Sequence, residues 1–124
     1  MRARGLFRGL VLSLYKQPDP ATMIEFQFFT GCPHANDTLA NLRSVMADLG
    51  IAEHHLKISV VPDIETAKRL NFQGSPSILM NRRDIYTGEE PVTFSWGCRL
   101  YQFGGERTGV IPAEFIKEKL TEYQ

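Results

Sequence analysis

The chain has 124 residues, 43% of them hydrophobic and 23% charged, with 14 basic and 14 acidic side chains. That size and balance fit one globular domain with its own core, and they exclude a wholly disordered or collagen-like chain. Residues 1–22 carry Arg2, Arg4, Arg8 and Lys16 against Asp19, so the remainder is net acidic and has no electrostatic case for nucleic acid.

The opening stretch, MRARGLFRGLVLSLYKQPDP, joins a basic start to a short apolar run. Targeting signals share that pattern, but the run falls well short of the ~20 residues a bilayer span needs, so no transmembrane helix is expected. A peripheral amphipathic segment, a targeting signal and an upstream start codon are the alternatives. The last is preferred, with Met23 as the natural first residue, because the recognisable domain begins there. Pro18 and Pro20 close the extension, since proline disfavours helix at its own position and just before it. Residues 1–22 are thus expected to be a flexible or non-native extension and residues 23–124 the domain.

From Ile24 to Phe29 the run IEFQFF is aromatic and β-branched and ends at Thr30-Gly31, which predicts a buried strand. Pro33 suits the first position of a helix. Leu39, Leu42, Val45, Met46 and Leu49 then recur at helical spacing, with Gly50 as the stop. Asn36, Asn41, Arg43, Ser44 and Asp48 form its polar face, so one side should pack on a sheet. HHLKISVV, residues 54–61, predicts a second strand halted by Pro62, and Asp63 caps a short helix through Asn71. Strand, helix, strand implies parallel pairing of the first two strands.

Next, QGSPSILMNRRD predicts a turn, a strand over Ser77–Met80 and a second turn. A fourth strand is expected over Arg99–Phe103. Residues 84–97 form a long irregular connection before it, with a short strand of their own near Val92–Trp96; connections of that length are often functional or mobile. Pro112 opens a final helix with Phe115, Ile116 and Leu120 at helical spacing. The predicted fold is α/β in the order β-α-β-α-β-β-α: a central four-stranded mixed sheet flanked by helices, with a long insertion between the last two strands.

Cys32 and Cys98 are too few and too far apart for a disulfide scaffold or a four-ligand zinc site. A reducing cytoplasm is the expected setting. Cys32 lies at a strand-to-helix junction, where free backbone N–H groups and the positive end of the helix dipole favour a thiolate. His34 either assists when protonated or is a bystander on the surface.

The element order, a Cys-Pro pair after the first strand and a Ser-Pro pair before the third together resemble the thioredoxin-like superfamily over nearly all of residues 23–122. Gly74-Ser75-Pro76-Ser77-Ile78-Leu79 is similar to that family's Gly-x-Pro-Thr stretch, and GVIPAEFIKEKL, residues 109–120, to its last loop and helix. The resemblance implies that Cys32 is the nucleophile capping the first helix, that Pro76 is cis and faces it, and that Pro33, His34 and Ser75 lie beside the thiol. Cys32-Pro33-His34 is similar to the start of a Cys-Pro-His-Cys motif, but Ala35 stands where the second cysteine belongs, so the implied chemistry is monothiol. A cis Ser75-Pro76 bond would leave the Ser75 backbone unpaired, ready to bind an extended peptide or glutathione as a strand would. Ser77 would add a polar contact.

Cys98 is harder to place. On regular strand geometry it starts the return leg of the sheet, some 15–17 Å from Cys32 at ~3.3 Å per residue, beyond the ~7 Å between Cα atoms that a disulfide allows. Only a fold-back of the 84–97 connection would carry it toward the site. Otherwise it packs beside Trp96 and Leu100. Arg82, Arg83 and Arg99 are expected to be solvated, and His54 and His55 to be surface residues pointing in opposite directions from a strand start; no metal spacing is evident.

Three functions follow. The first is a monothiol oxidoreductase acting through Cys32 on disulfides or glutathione mixed disulfides, completed by an external thiol or by Cys98, with no bound cofactor and glutathione as candidate co-substrate. The second is a non-catalytic peptide-binding module. The third is a Cys32/Cys98 thiolate pair holding a soft metal or an organomercurial; a looser likeness through Cys98-Arg99-Leu100-Tyr101 to small bacterial proteins associated with organomercurial lyases suggests it. Partners are thus thiols and disulfides of proteins or small molecules, and no feature specifies an oligomeric state.

Overall fold

The computed structural model describes residues 20–123. The N-terminal extension therefore lies outside the described residues except for its last three. Of these, Thr22 is buried, and its carbonyl oxygen lies 3.0 Å from His55 Nδ1, so the packed unit begins slightly before Met23.

Four strands form the main sheet: β1 (Ile24–Phe28), β2 (Leu56–Val60), β3 (Ser77–Met80) and β4 (Arg83–Asp84), in the spatial order β2-β1-β3-β4. β1 runs parallel to β2 and antiparallel to β3, and β3 antiparallel to β4. Helix α1 (Ala35–Asp48) links β1 to β2, and α2 (Ile64–Leu70) links β2 to β3. A small separate hairpin, β5 (Tyr101–Phe103) with β6 (Glu106–Thr108), precedes α3 (Ala113–Glu122). The molecule is thus α/β with a four-stranded mixed sheet and three helices.

Alternation along the central strands decides the layers. Ile24 pairs with Met80 and Phe26 with Ile78, and these four side chains face Leu42, Val45 and Met46 of α1 and Ile116 and Leu120 of α3 in the main core. Fully burying each such side chain contributes about 1.5–3 kcal/mol. A smaller cluster of Val61, Ala67 and Phe72, with Phe29, Leu70 and Phe94 against it, lies under α2.

Local chemistry explains the helix ends. The Asp63 carboxylate accepts the Thr66 backbone N–H at 2.8 Å and caps α2, and hydrogen bonding to the Thr66 side chain first and to its backbone second holds the Asp63 pKa below the usual carboxylate value. Asn71 closes the same helix in the left-handed conformation, a role asparagine tolerates better than most residues.

Several expectations are corrected. α1 begins at Ala35, so Pro33 lies in the preceding turn and not at the first helical position. The predicted second strand starts two residues late because Glu53–His55 form a single 3₁₀ turn. The fourth strand of the sheet is Arg83–Asp84, and Tyr101–Phe103 belongs to the hairpin. The long insertion therefore follows the fourth strand, and no strand forms near Val92–Trp96. The two histidine rings do not diverge; they pack with centroids 4.1 Å apart and planes tilted by 35°, and His55 is buried.

Candidate functional site

β1 and the start of β3 meet at one end of the sheet, where Gln27 is paired with Ser77. The loop after β1 therefore lies beside the loop before β3. Gly31 turns the first loop with φ of +90°, a conformation glycine adopts without steric cost. The Cys32 N–H then donates to the Phe29 carbonyl at 3.2 Å, and the Cys32 carbonyl accepts from Ala35 N–H at 3.3 Å. Cys32 is half-buried, a free thiol two residues ahead of the His34 N-cap. It adjoins the helix entrance but does not cap α1, which corrects the expectation for that residue.

His34 does not stand free on the surface. Its ring lies so close against Gly109 that a Cβ added at that glycine would overlap it. The same loop is pinned to α1 by Ile111, whose N–H donates to Thr38 Oγ1 and whose carbonyl accepts from Asn41 Nδ2. Pro33 is exposed.

The second loop is bound on every side. Ser75-Pro76 is a cis peptide, and both residues are buried. Ser75 Oγ accepts the Phe29 N–H at 3.2 Å, which ties the serine to the thiol loop. Ser77 Oγ donates to the Gly74 carbonyl, and Tyr101 Oη donates to the Pro76 carbonyl, each at 2.6 Å.

The backbone of Ser75 was expected to be unpaired, and it is not. Its N–H donates to the Gly97 carbonyl and its carbonyl accepts the Arg99 N–H, both at 2.9 Å, which makes a parallel bridge between Ser75 and Cys98. The insertion has folded back over the sheet end. Cys98 is therefore not on a remote return strand; it is exposed, free and directly paired with Ser75.

Arg99 anchors this strap. Its Nη1 donates to Asp84 Oδ2 at 2.6 Å and to Ser77 Oγ at 2.9 Å, and its Nη2 to Asp84 Oδ1 at 3.2 Å. The guanidinium also lies over the rings of Tyr101 and Tyr86, at 4.7 and 5.6 Å from their centroids. Burial works against its charge, but the hydrogen bond and charge of Asp84 outweigh that effect, so the Arg99 pKa is raised. Burial likewise pushes the Tyr101 hydroxyl well above its ordinary value. Arg99 is thus not solvated as expected. Arg82 and Arg83 are exposed, the first paired with Glu90 and the second lying over Tyr123.

A cavity of about 380 Å³ opens between the two segments, lined by Phe29, Thr30, Val61, Pro62, Trp96 and Gly97. The Trp96 ring packs on Phe29 at 5.3 Å and on Phe72 at 6.1 Å, a second tether of the strap to the thiol loop.

Sequence reasoning named Cys32, Pro33, His34, Ser75, Pro76 and Cys98 and missed Arg99, Asp84 and Tyr101 as a working unit. The one signal was an arginine two residues before a tyrosine at the start of the expected fourth strand, with an aspartate in the turn after the third. Among the described residues no cluster of three or more His, Cys, Asp or Glu side chains suits a metal, and no helix is long and apolar enough to cross a membrane. Comparison with family models, curated proteins and solved structures finds no match. Fold and site together define a small α/β domain with two free thiols on neighbouring loops.

Proposed function

We propose that this chain is a thioredoxin-like thiol–disulfide oxidoreductase in which Cys32 attacks disulfides, glutathione mixed disulfides among them. The observation that carries the proposal is the tie between the two loops: the amide of Phe29, three residues before a free, half-buried thiol, is bound by the side chain of Ser75. The element order β-α-β-α-β-β-α of the sheet and its helices supports it.

In the first step the Cys32 thiolate attacks one sulfur of R–S–S–R; the S–S bond breaks, its electron pair leaves on RS⁻, and Cys32 holds a mixed disulfide. A second thiolate then attacks that mixed disulfide and releases the other RS⁻ or restores Cys32. The cytoplasm, which keeps both cysteines reduced between turnovers, is the proposed setting.

Occupation of the Ser75 backbone by residues 97 and 99 works against a module that binds extended peptides there. The test is turnover of hydroxyethyl disulfide with glutathione. Wild type should be active and Cys32→Ser inactive with unchanged circular dichroism; an active Cys32→Ser variant would remove the proposal.

A further inference from the structure

We infer that residues 96–99 are a built-in substrate strand: Cys98 is the internal partner of Cys32, and the external substrate is a small disulfide, not an extended peptide. This deepens the proposed thiol chemistry and rests on it.

Three observations carry it. Ser75 makes both backbone hydrogen bonds of a parallel bridge to the strap, so the edge that a peptide would pair with is filled by the chain itself. Ser75 is the neighbour that the two thiol segments share: its hydroxyl holds the Phe29 amide, three residues before Cys32, and its backbone holds the residues on either side of Cys98. The same cavity is walled by Phe29 and Thr30, just upstream of Cys32, and by Trp96 and Gly97, just upstream of Cys98.

The strap is also seated on prepared ground. Gly74 has φ of +108°, and a Cβ there would come within 3.0 Å of Arg99 Cβ and 3.2 Å of the Gly97 carbonyl. On the far side Arg99 is clamped by Asp84 and Ser77. The residue next to Cys98 is therefore fixed while the thiol itself stays exposed.

The chemistry balances in two exchanges. Cys32–S⁻ attacks R–S–S–R to give Cys32–S–S–R and RS⁻. Cys98–S⁻ then attacks the Cys32 sulfur to give a Cys32–Cys98 disulfide and a second RS⁻. Two protein thiolates are oxidised as one disulfide is reduced to two thiolates, and two equivalents of a small thiol such as glutathione reverse both steps.

The experiment exposes the reduced full chain, at dilution, to hydroxyethyl disulfide, quenches with acid and alkylating agent, and maps the peptides by mass spectrometry. Wild type should yield a peptide pair linked through Cys32 and Cys98, with neither thiol alkylated. Cys98→Ser should stop with one mercaptoethanol adduct on Cys32, and Cys32→Ser should keep Cys98 alkylatable. Gly74→Ala, checked for folding by circular dichroism, should form the adduct at the wild-type rate but close the internal disulfide about tenfold more slowly, because misplaced reacting groups lose effective concentration. A wild-type protein that accumulates the Cys32 adduct while Cys98 remains alkylatable, or that forms Cys98-linked dimers instead, overturns the inference and leaves the Cys32 chemistry standing. Absence of any adduct on Cys32 in the Cys98→Ser variant, together with no linked pair in wild type, overturns both. A cysteine peptide offered as a mixed disulfide with mercaptoethanol should react no faster than hydroxyethyl disulfide; a tenfold advantage for the peptide would refute the built-in strand.

Discussion

Replacing Arg99 with alanine should remove the anchor of the strap, and the structure sets the size of the effect. The guanidinium side chain is 11% exposed and the Asp84 carboxylate 1%, so truncation leaves a buried carboxylate without its countercharge. Removing one partner of a buried ion pair costs about 3–5 kcal/mol. Asp84 retains the backbone N–H groups of Tyr86 and Thr87 on Oδ1, which places the expected loss near the lower end, about 3 kcal/mol. The exposed pair Arg43–Glu53, with side chains 46% and 64% accessible, is the internal control; Arg43→Ala should cost no more than about 1 kcal/mol. Urea denaturation followed by circular dichroism, with linear extrapolation, measures both. Arg99→Lys should recover only part of the loss, since an ammonium cannot hold both carboxylate oxygens and Ser77 in one planar fork. If Arg99→Ala proved as mild as Arg43→Ala, with the same denaturant slope, the clamp would be no anchor.

Three further outcomes are expected. Tyr101 is buried with its pKa raised, so its protonated form contributes stability that is complete below the unfolded value of 10.0 and is lost as pH climbs above it; Tyr101→Phe should flatten the alkaline fall in melting temperature. Gly109→Ala should destabilise by about 1–3 kcal/mol through overlap with the His34 ring, and the double variant with His34→Ala should recover most of that loss in the same urea assay. Ile116→Ala, at a fully buried site between α3 and the sheet, should cost about 2–5 kcal/mol with the fold retained; a cost below 1 kcal/mol would show that α3 is not packed as described.

Much of the fold is legible in local chemistry. The run Ile24–Phe28 is a strand because β-branched or aromatic Ile24, Phe26 and Phe28 alternate with polar residues, and α1 follows from the spacing of Leu42, Val45 and Met46. Asp63 and Asn71 mark both ends of α2 by capping. Each of these signals acts within a few residues of itself, and the sequence carries them without reference to the rest of the chain. Of the candidate site, Cys32, Ser75 and Pro76 are legible through their positions beside strands that are themselves legible.

Tertiary structure alone decided the remainder. Residues 85–100 have no period of 2 or 3.6, so nothing local sends them back across the sheet end; their path follows from Ser75 pairing with residues 97 and 99, and from Trp96 packing on Phe29. The same fold-back buries Arg99 against Asp84, charges that the sequence presents at a solvated strand end and in a turn. It also moves Cys98 from the far end of a return strand to the loop beside Cys32. Backbone pairing between distant segments leaves no mark on composition, because every residue but proline supplies both an N–H and a carbonyl. The strands, helices and first thiol were thus written in side-chain chemistry, while the position of the second thiol rests on main-chain hydrogen bonds that exist only once the chain has closed on itself.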